Sequence, residues 1–130
     1  MALTYSEGSA KHGIVSVRWT WTSSAAGAAT ATTARISGEL IKAVTDPGAA
    51  APTANYDITV KDSDAVNVLT ACSDDLVDRH TSNTEEVYFF VKDVATAEQS
   101  VHPVVDSALT LAVANAGAAK TGTLVLYFRV

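Results

Sequence analysis

The stretch V-S-V-R-W-T-W-T, residues 15–22, alternates apolar and polar side chains with a period of two. Its apolar positions are Val15, Val17, Trp19 and Trp21. Because successive side chains of a β-strand point to opposite faces, this alternation predicts a strand with one apolar face. Full burial of one Trp stabilises a fold by at most about 4–6 kcal/mol. We therefore predict that the tryptophans lie in the core, the alternative being an exposed binding platform.

The polar side of this strand would then face outward, together with the uncharged tip S-S-A-A-G that follows it. Residues 1–12 are a polar arm, which we predict to be flexible in the isolated protein and to become ordered on a neighbouring subunit. These two regions are the predicted contact surface. Its candidate residues are Leu3, Tyr5, Arg18, Thr20, Thr22, Ser23 and Ser24.

The composition of the chain excludes several classes of protein. Its 130 residues are enough for one domain with its own core, which we assign to residues 13–130. The net charge is −5 and the nine Lys and Arg residues are scattered, so we expect no binding to nucleic acid or to a membrane. The single cysteine, Cys72, excludes an intrachain disulfide, and the polar N-terminal segment does not resemble a signal peptide. We expect a protein that folds in a cytosol.

The rest of the chain is typical of an all-β fold. Apolar alternation predicts about seven or eight strands in an antiparallel β-sandwich or jelly-roll-like barrel. The pattern also predicts hairpins over residues 55–69 and 108–129, a bend or bulge at Gly38 and a tight turn at residues 45–48. The segment near residues 73–79 lacks strand periodicity and begins with a good N-cap residue, so one short helical turn is predicted there.

No catalytic signature accompanies this pattern. The string G-A-A-K-T-G, residues 117–122, has the letters of a phosphate-binding loop in the wrong order, and it joins two predicted strands. Its K-T-G part matches one β-lactamase motif, but the chain contains no S-x-x-K. We interpret both matches as turn chemistry. The prediction is a protein that is not an enzyme and has no catalytic residue and no cofactor.

Two groups of acidic residues are the remaining candidates for a site. Asp57, Asp62 and Asp64 crowd one predicted turn, but the glycine and the distal glutamate of an EF-hand loop are missing. We interpret them as turn residues that cap their own backbone, with an ion site as the alternative. The second group, residues 74–80, is interpreted as a helical turn with a local salt bridge rather than a general base. No metal site is predicted, because no histidine stands at ligand spacing from another histidine or cysteine.

The order of the motifs resembles that of a group of short bacteriophage-encoded proteins found among head and virion genes. The resemblance is carried by K-H-G-I-V-S-V-R-W-T-W-T (11–22), T-D-P-G-A-A-A-P-T-A-N-Y-D-I-T-V-K-D (45–62), T-E-E-V-Y (84–88) and L-T-L-A-V-A-N-A-G-A-A-K-T-G-T-L-V-L-Y (109–127). These motifs are strands and turns. Where relatives of this kind often carry Asp-Gly in the first hairpin turn, this chain has Asp64-Ala65.

The resemblance implies a structural protein of the virion. From size and composition we rank first a capsid decoration, or cement, protein that is made in the bacterial host cytoplasm and lies on the capsid surface. Its expected partners are the major capsid protein and further copies of itself, as a dimer or trimer, with affinity gained from multivalency. The alternatives are a neck or tail component, or a carbohydrate-binding β-sandwich that would use Trp19 and Trp21 as its platform.

Overall fold

The computed structural model describes residues 4–8, 13–69, 83–89, 91–92 and 100–130. Within these ranges the chain is all-β, as predicted, and contains no helix. The strands are β1 (Thr4–Glu7), β2 (Ile14–Thr22), β3 (Ala29–Pro47), β4 (Asp57–Lys61), β5 (Glu85–Tyr88), β6 (Val91–Lys92), β7 (Ser100–Val101), β8 (Val104–Ala114) and β9 (Thr121–Arg129). The helical turn predicted near residues 73–79 lies outside the described residues. No helix that could cross a membrane occurs in the described part of the chain.

Seven of the strands form one antiparallel sheet, in the order β1-β2-β9-β3-β8-β4, with β5 also paired to β3. The N-terminal part of β3, residues 29–39, pairs with β8, and its C-terminal part, residues 39–47, pairs with β9 on the other edge. Layer A consists of β1, β2, β9, β5 and the C-terminal part of β3. Layer B consists of the N-terminal part of β3, β8 and β4. The two remaining strands, β6 and β7, pair with each other.

Strand β3 bends, and this bend places layer B over layer A. A straight strand of its 19 residues would be about 60 Å long. However, the Ala116 N–H donates to the carbonyl of Gly27 beside one end of β3 (3.0 Å), and the Gly48 N–H beside the other end donates to the carbonyl of Thr121 (2.8 Å). Ala116 and Thr121 are close in sequence, and five residues span at most about 18 Å. The two ends of β3 are therefore drawn together, which makes the sheet a β-sandwich.

Two β-bulges reverse the alternation of β3. One interrupts the pairing with β8 between Thr32 and Arg35, and the other interrupts the pairing with β9 between Leu40 and Lys42. Each bulge adds one residue, and one extra residue moves every following side chain to the other face of the sheet. The side chains of β3 that face the core are consequently Ala29, Ala31, Thr33, Ile36, Leu40, Ala43 and Thr45.

The predicted bend at Gly38 is wrong, because Gly38 pairs regularly with Val105 of β8. Gly38 is needed for a different reason, which is the close approach of β9. A Cβ on this residue would lie 2.9 Å from the carbonyl oxygen of Arg129 and 3.2 Å from Cβ of Phe128. The bulges that bend the strand lie on either side of Gly38, at residues that have no special turn propensity.

Two predicted connections are replaced by longer-range pairing. The hairpin over residues 108–129 is wrong, because β3 lies between β8 and β9, and both run antiparallel to it. The tight turn at residues 45–48 is also wrong. Strand β3 continues to Pro47, its last residue, and the Gly48 N–H beyond it still donates to the carbonyl of Thr121, so the proline does not interrupt the pairing with β9. The hairpin over residues 55–69 forms only in part: its return segment makes a single bridge to Lys61, and the main partner of β4 is β8.

The turn after β4 adopts a positive φ without a glycine. Asp62 Oδ1 accepts hydrogen bonds from the N–H groups of Asp64 and Val66, both at 2.9 Å. Ala65 has a φ of 63°, in the left-handed region that L-residues other than Asn and Asp rarely adopt. The side chain of Asp62 therefore caps its own turn, as predicted. The geometry that Asp-Gly favours is reached here with alanine.

The tryptophans lie in the core, as predicted, and both are fully buried. The ring centroid of Trp21 is 5.7 Å from that of Tyr56, which precedes β4, so this contact joins the two layers. On β9, Gly122 lies opposite Trp21, and a Cβ there would lie 2.8 Å from Cε2 of the indole. The other large side chains that are fully buried are Phe89, Phe128, Leu40, Ile58, Leu69, Leu109, Leu111, Leu124 and Leu126.

Part of the N-terminal arm forms a strand. Thr4–Glu7 is β1 at the edge of layer A, and it pairs with β2 so that Tyr5 lies opposite Trp19. For these four residues the structure shows a paired strand where the sequence predicted a flexible arm. The reason is that the edge of β2 offers unpaired backbone N–H and C=O groups, which favour the addition of a further strand. Residues 1–3 and 9–12 lie outside the described residues.

Candidate contact surface

The outward side of layer A carries the side chains that alternate with its core. The strand register places Tyr127 of β9 beside Lys42 of β3, and Lys42 beside Tyr88 of β5. The adjacent row begins at Arg18 of β2 and crosses β9 at Val125. We call this surface the aromatic face. Its members are Arg18, Thr20, Lys42, Val44, Glu86, Tyr88, Val125 and Tyr127.

Lys42 orders the centre of the aromatic face. Its Nζ lies 4.9 Å from the ring centroid of Tyr127 and 5.6 Å from that of Tyr88, within the range of cation–π interactions. The same Nζ donates a hydrogen bond to Oε1 of Glu86, and this bond raises the pKa of Lys42 above its ordinary value. The cation therefore holds both rings before a partner binds. Such preorganisation reduces the conformational entropy lost on binding.

The aromatic face has exposed side chains around a covered apolar residue, which is the pattern of many protein interfaces. Tyr88 is 53% exposed, whereas Val125, which also points outward, is only 5% exposed because its neighbours cover it. Tyrosine and arginine are among the residue types that most often dominate binding energy at protein interfaces. The aromatic face therefore has the composition of a protein-binding surface built on a rigid sheet.

Two of the predicted contact residues, Arg18 and Thr20, are exposed on the aromatic face. Thr22 is half-buried at the end of β2, and Ser24 is half-buried in the loop that follows. Leu3 lies outside the described residues, and the backbone of Tyr5 lies in β1. The structure thus brings Arg18 and Thr20 together with residues of three other strands, and leaves Ser24 at the end of the sandwich.

Ser23 is a correction to the predicted contact surface, because it is buried. Its hydroxyl donates to the carbonyl of Gly117 and accepts a hydrogen bond from the N–H of Lys120 at 2.8 Å. Its own N–H donates to the carbonyl of Lys120 at 2.8 Å. Ser23 therefore ties the end of β2 to the segment before β9. A hydroxyl engaged in this way is not available to a partner.

Lys42, Tyr88 and Tyr127 were not among the contact residues predicted from the sequence. Each tyrosine stands between two buried neighbours along the chain, so the period-two alternation directs it outward. That signal was present in the sequence. Lys42 gave no comparable signal, because the bulge between Leu40 and Lys42 reverses the alternation of β3. Only the register shows that the three side chains are neighbours.

The outward side of layer B has a different composition. Thr32 and Thr110 share a hydrogen bond of 2.8 Å, and the Arg35 Nε–H donates to Oδ1 of Asp106 at 3.0 Å. The hydrogen bonds from Arg35 and then Ser37 lower the pKa of Asp106 to about 2. We call this surface the threonine face. Its members are Thr30, Thr32, Thr59, Thr110 and Ala112, all with small side chains, and the exposed Lys61 lies at its margin beside Thr110.

The polar groups considered as chemical sites form no metal cluster in the part of the chain that the structure describes. Asp57 accepts a hydrogen bond from the side-chain amide of Asn115 at 2.6 Å, and Asp62 caps its own turn. Within the G-A-A-K-T-G string, residues 117–120 form the connection that leads into β9, and Thr121 and Gly122 are the first two residues of that strand. The second acidic group and the single cysteine, within residues 72–80, lie outside the described residues.

No protein-family model, no curated protein and no solved structure matches this chain. A function must therefore be inferred from the fold and from the physical character of the surfaces. Of the two outward surfaces, the aromatic face is the better candidate for binding a partner, since its side chains are large, oriented and partly exposed.

Proposed function

We propose that this protein is a non-enzymatic structural component of a bacteriophage virion, most specifically a decoration protein that binds the major capsid protein at the capsid surface. The observation that carries the proposal is the aromatic face, where Lys42 holds Tyr88 and Tyr127 on a rigid sheet. The resemblance to short phage head and virion proteins supplies the class of partner. The aromatic face supplies the means of binding.

A decoration protein acts through many copies on a repeating lattice. Each copy needs only a modest contact, because multivalent attachment raises the overall affinity by about 10²–10⁴-fold without new contacts. Truncation of a hot-spot tyrosine at the centre of an interface costs about 2 kcal/mol or more of binding free energy. Two tyrosines on a preordered surface are therefore sufficient for a capsid contact of this kind.

Binding to capsids tests the proposal directly. Capsids lacking this protein are mixed with the purified chain and pelleted, and the bound fraction is measured against concentration. The wild-type protein should pellet with the capsids. The double variant Tyr88→Ala/Tyr127→Ala should bind at least about 30-fold more weakly, which corresponds to about 2 kcal/mol.

A matched control comes from the threonine face. The double variant Thr30→Ala/Thr59→Ala should bind as the wild type does, and both double variants should keep a cooperative thermal transition. Since Tyr127 is half-buried, the single variant Tyr88→Ala provides a second measurement that leaves the sheet undisturbed. Failure of the wild type to bind capsids, or wild-type binding by the tyrosine variants, would contradict the proposal.

A carbohydrate-binding module is the second candidate. The platform first considered for it is unavailable, because Trp19 and Trp21 are buried. Tyr88 offers another, since its exposed ring lies near the charged groups of Lys42 and Glu86, and sugars are bound by aromatic rings flanked by hydrogen-bonding groups. A glycan array with the wild type and Tyr88→Ala separates the two functions: binding to a glycan that depends on the ring, without binding to capsids, favours the module.

The position of the protein in the virion is a separate question. Immunogold labelling of intact virions should place it across the head surface. Label confined to the neck or the tail would instead support the other structural role considered for the chain. In both cases the aromatic face is the surface that contacts the neighbouring protein.

A further inference from the structure

A row of four side chains crosses the outside of the sheet where layer A turns into layer B. The register places Ile14 beside Arg129, Arg129 beside Glu39, and Glu39 beside Val104. The four residues belong to four neighbouring strands, so the row is about 14 Å long at the usual strand spacing. We call these four residues the corner row.

The ends of the corner row are apolar and exposed. Val104 is 79% exposed and Ile14 is 37% exposed, and Val130, which is 60% exposed, lies next to the row. Together with the glycine at residue 38, Val104 and Val130 line an open groove of about 540 Å³. Two exposed valines beside one open groove, with Ile14 at the far end of the row, form an apolar surface that a partner can cover.

The centre of the corner row carries one positive and one negative group. The Nε–H and Nη2–H groups of Arg129 both donate to Oε2 of Glu39, at 3.0 and 2.8 Å. Both side chains are about half exposed, so each retains polar atoms that a partner can reach. Read across the strands, the row is apolar, positive, negative, apolar.

This order is self-complementary under a two-fold rotation. When a second copy of the row is rotated by 180° and placed over the first, Ile14 meets Val104 of the second copy, and Arg129 meets Glu39 of the second copy. The same two contacts then occur twice. A surface that is complementary to itself in this way is what a symmetric two-fold interface requires.

We propose that the corner row is a contact between two copies of this chain related by a two-fold axis. The row is small compared with the roughly 800 Å² that each partner buries in a standard interface, so the isolated dimer is weak. It becomes populated at high protein concentration, or where copies are held side by side. The contact does not depend on the proposed capsid binding, because it uses none of the side chains of the aromatic face.

Sedimentation velocity on the full chain tests the proposal, over concentrations from about 10 µM to about 1 mM, which bracket a weak dissociation constant. The wild type should pass from monomer to dimer over this range. Val104→Asp places a charge at each apolar end of the interface and should remain monomeric. Val66→Asp is the matched control, because Val66 is also 56% exposed but lies in the turn after β4, and it should dimerise as the wild type does.

Charge reversal distinguishes a contact between copies from an effect within one copy. Glu39→Arg gives the row two bases, and Arg129→Glu gives it two acids, so each variant alone should be monomeric. An equimolar mixture of the two should form a dimer again, because every base then faces an acid on the other copy. The pair within each copy stays broken, so recovery can come only from contacts between copies. A wild type that is monomeric at about 1 mM, a Val104→Asp variant that dimerises normally, or a mixture that stays monomeric would each overturn the proposal.

Discussion

The two layers of the sandwich share strand β3, but they differ in the size of their side chains and in what stabilises them. Layer A buries two tryptophans and carries two tyrosines on its outward side, Tyr88 exposed and Tyr127 half-buried. Layer B exposes threonine and alanine, and its bulge is closed by a buried hydrogen bond from the Leu109 N–H to Oγ1 of Thr33 (3.0 Å). Both layers bury apolar side chains, but the two indoles are buried on layer A, whereas layer B adds a buried side-chain hydrogen bond at its bulge. Each layer should therefore be sensitive to a different kind of substitution.

The largest effect is expected in the core of layer A. Trp21→Ala removes a fully buried side chain that contacts both layers, and it should reduce the free energy of unfolding by about 3–5 kcal/mol. Urea denaturation followed by circular dichroism measures the loss. Thr20→Ala, on the opposite face of the same strand, should change stability by less than about 0.5 kcal/mol. A loss below about 1 kcal/mol for Trp21→Ala would show that the indole does not sustain the core.

The core of layer A should also be destabilised by added volume beside Trp21, which is the reverse of the Trp21→Ala change. Gly122→Ala adds a methyl group where Trp21 lies, and it should reduce the free energy of unfolding by about 1–3 kcal/mol. In the Trp21→Ala background the same substitution should cost far less, since the indole is gone. A double-mutant cycle by urea denaturation measures this coupling. If the two losses simply add, the clash between the methyl group and the indole is not the cause.

In layer B we expect a substitution to reduce stability by removing a hydrogen bond and not by changing the volume of a side chain. Thr33→Val keeps the size of the side chain but leaves the buried Leu109 N–H without its acceptor, so the free energy of unfolding should fall by about 1–2 kcal/mol. Amide hydrogen exchange at Leu109 should accelerate. Thr32→Val removes an exposed hydroxyl one residue earlier and should change stability by less than about 0.5 kcal/mol. Equal effects of the two variants would contradict this account of the bulge.

The smallest effect concerns the ion pair on the outside of layer B. The pKa of Asp106 is about 2 in the folded protein, below its ordinary value of 3.8, because Arg35 and Ser37 donate hydrogen bonds to the carboxylate. The resulting stabilisation is present above pH 4 or so and is lost as the pH falls towards 2. Asp106→Asn should therefore flatten the decline of the melting temperature between these pH values, by a small amount because the pair is exposed to solvent. If the melting temperatures of wild type and variant fell equally with pH across this range, the ion pair would not be the cause.

The sequence predicted layer A better than layer B for a physical reason. V-S-V-R-W-T-W-T has large side chains in strict alternation, so its strand, its buried tryptophans and its outward Arg18 could all be predicted. Strand β3 has small side chains, and its two bulges reverse the alternation, so the pattern predicts a bend or bulge at Gly38 and not at the two bulges on either side of it. Of the contact surface, the sequence supplied Arg18 and Thr20 but neither the tyrosines nor Lys42.

By itself, the sequence determined the all-β class, the core side of β2 and the turn capped by Asp62, because each depends on residues that are neighbours along the chain. Tertiary structure decided which strands pair. Strand β3 lies between β8 and β9, and this placement brings together the aromatic face and the corner row from strands far apart in sequence. Local alternation indicates which side of a strand faces the core, but it does not indicate which strand lies beside it. Which strands pair depends on contacts between segments far apart in the chain, and the two bulges of β3 are part of that pairing.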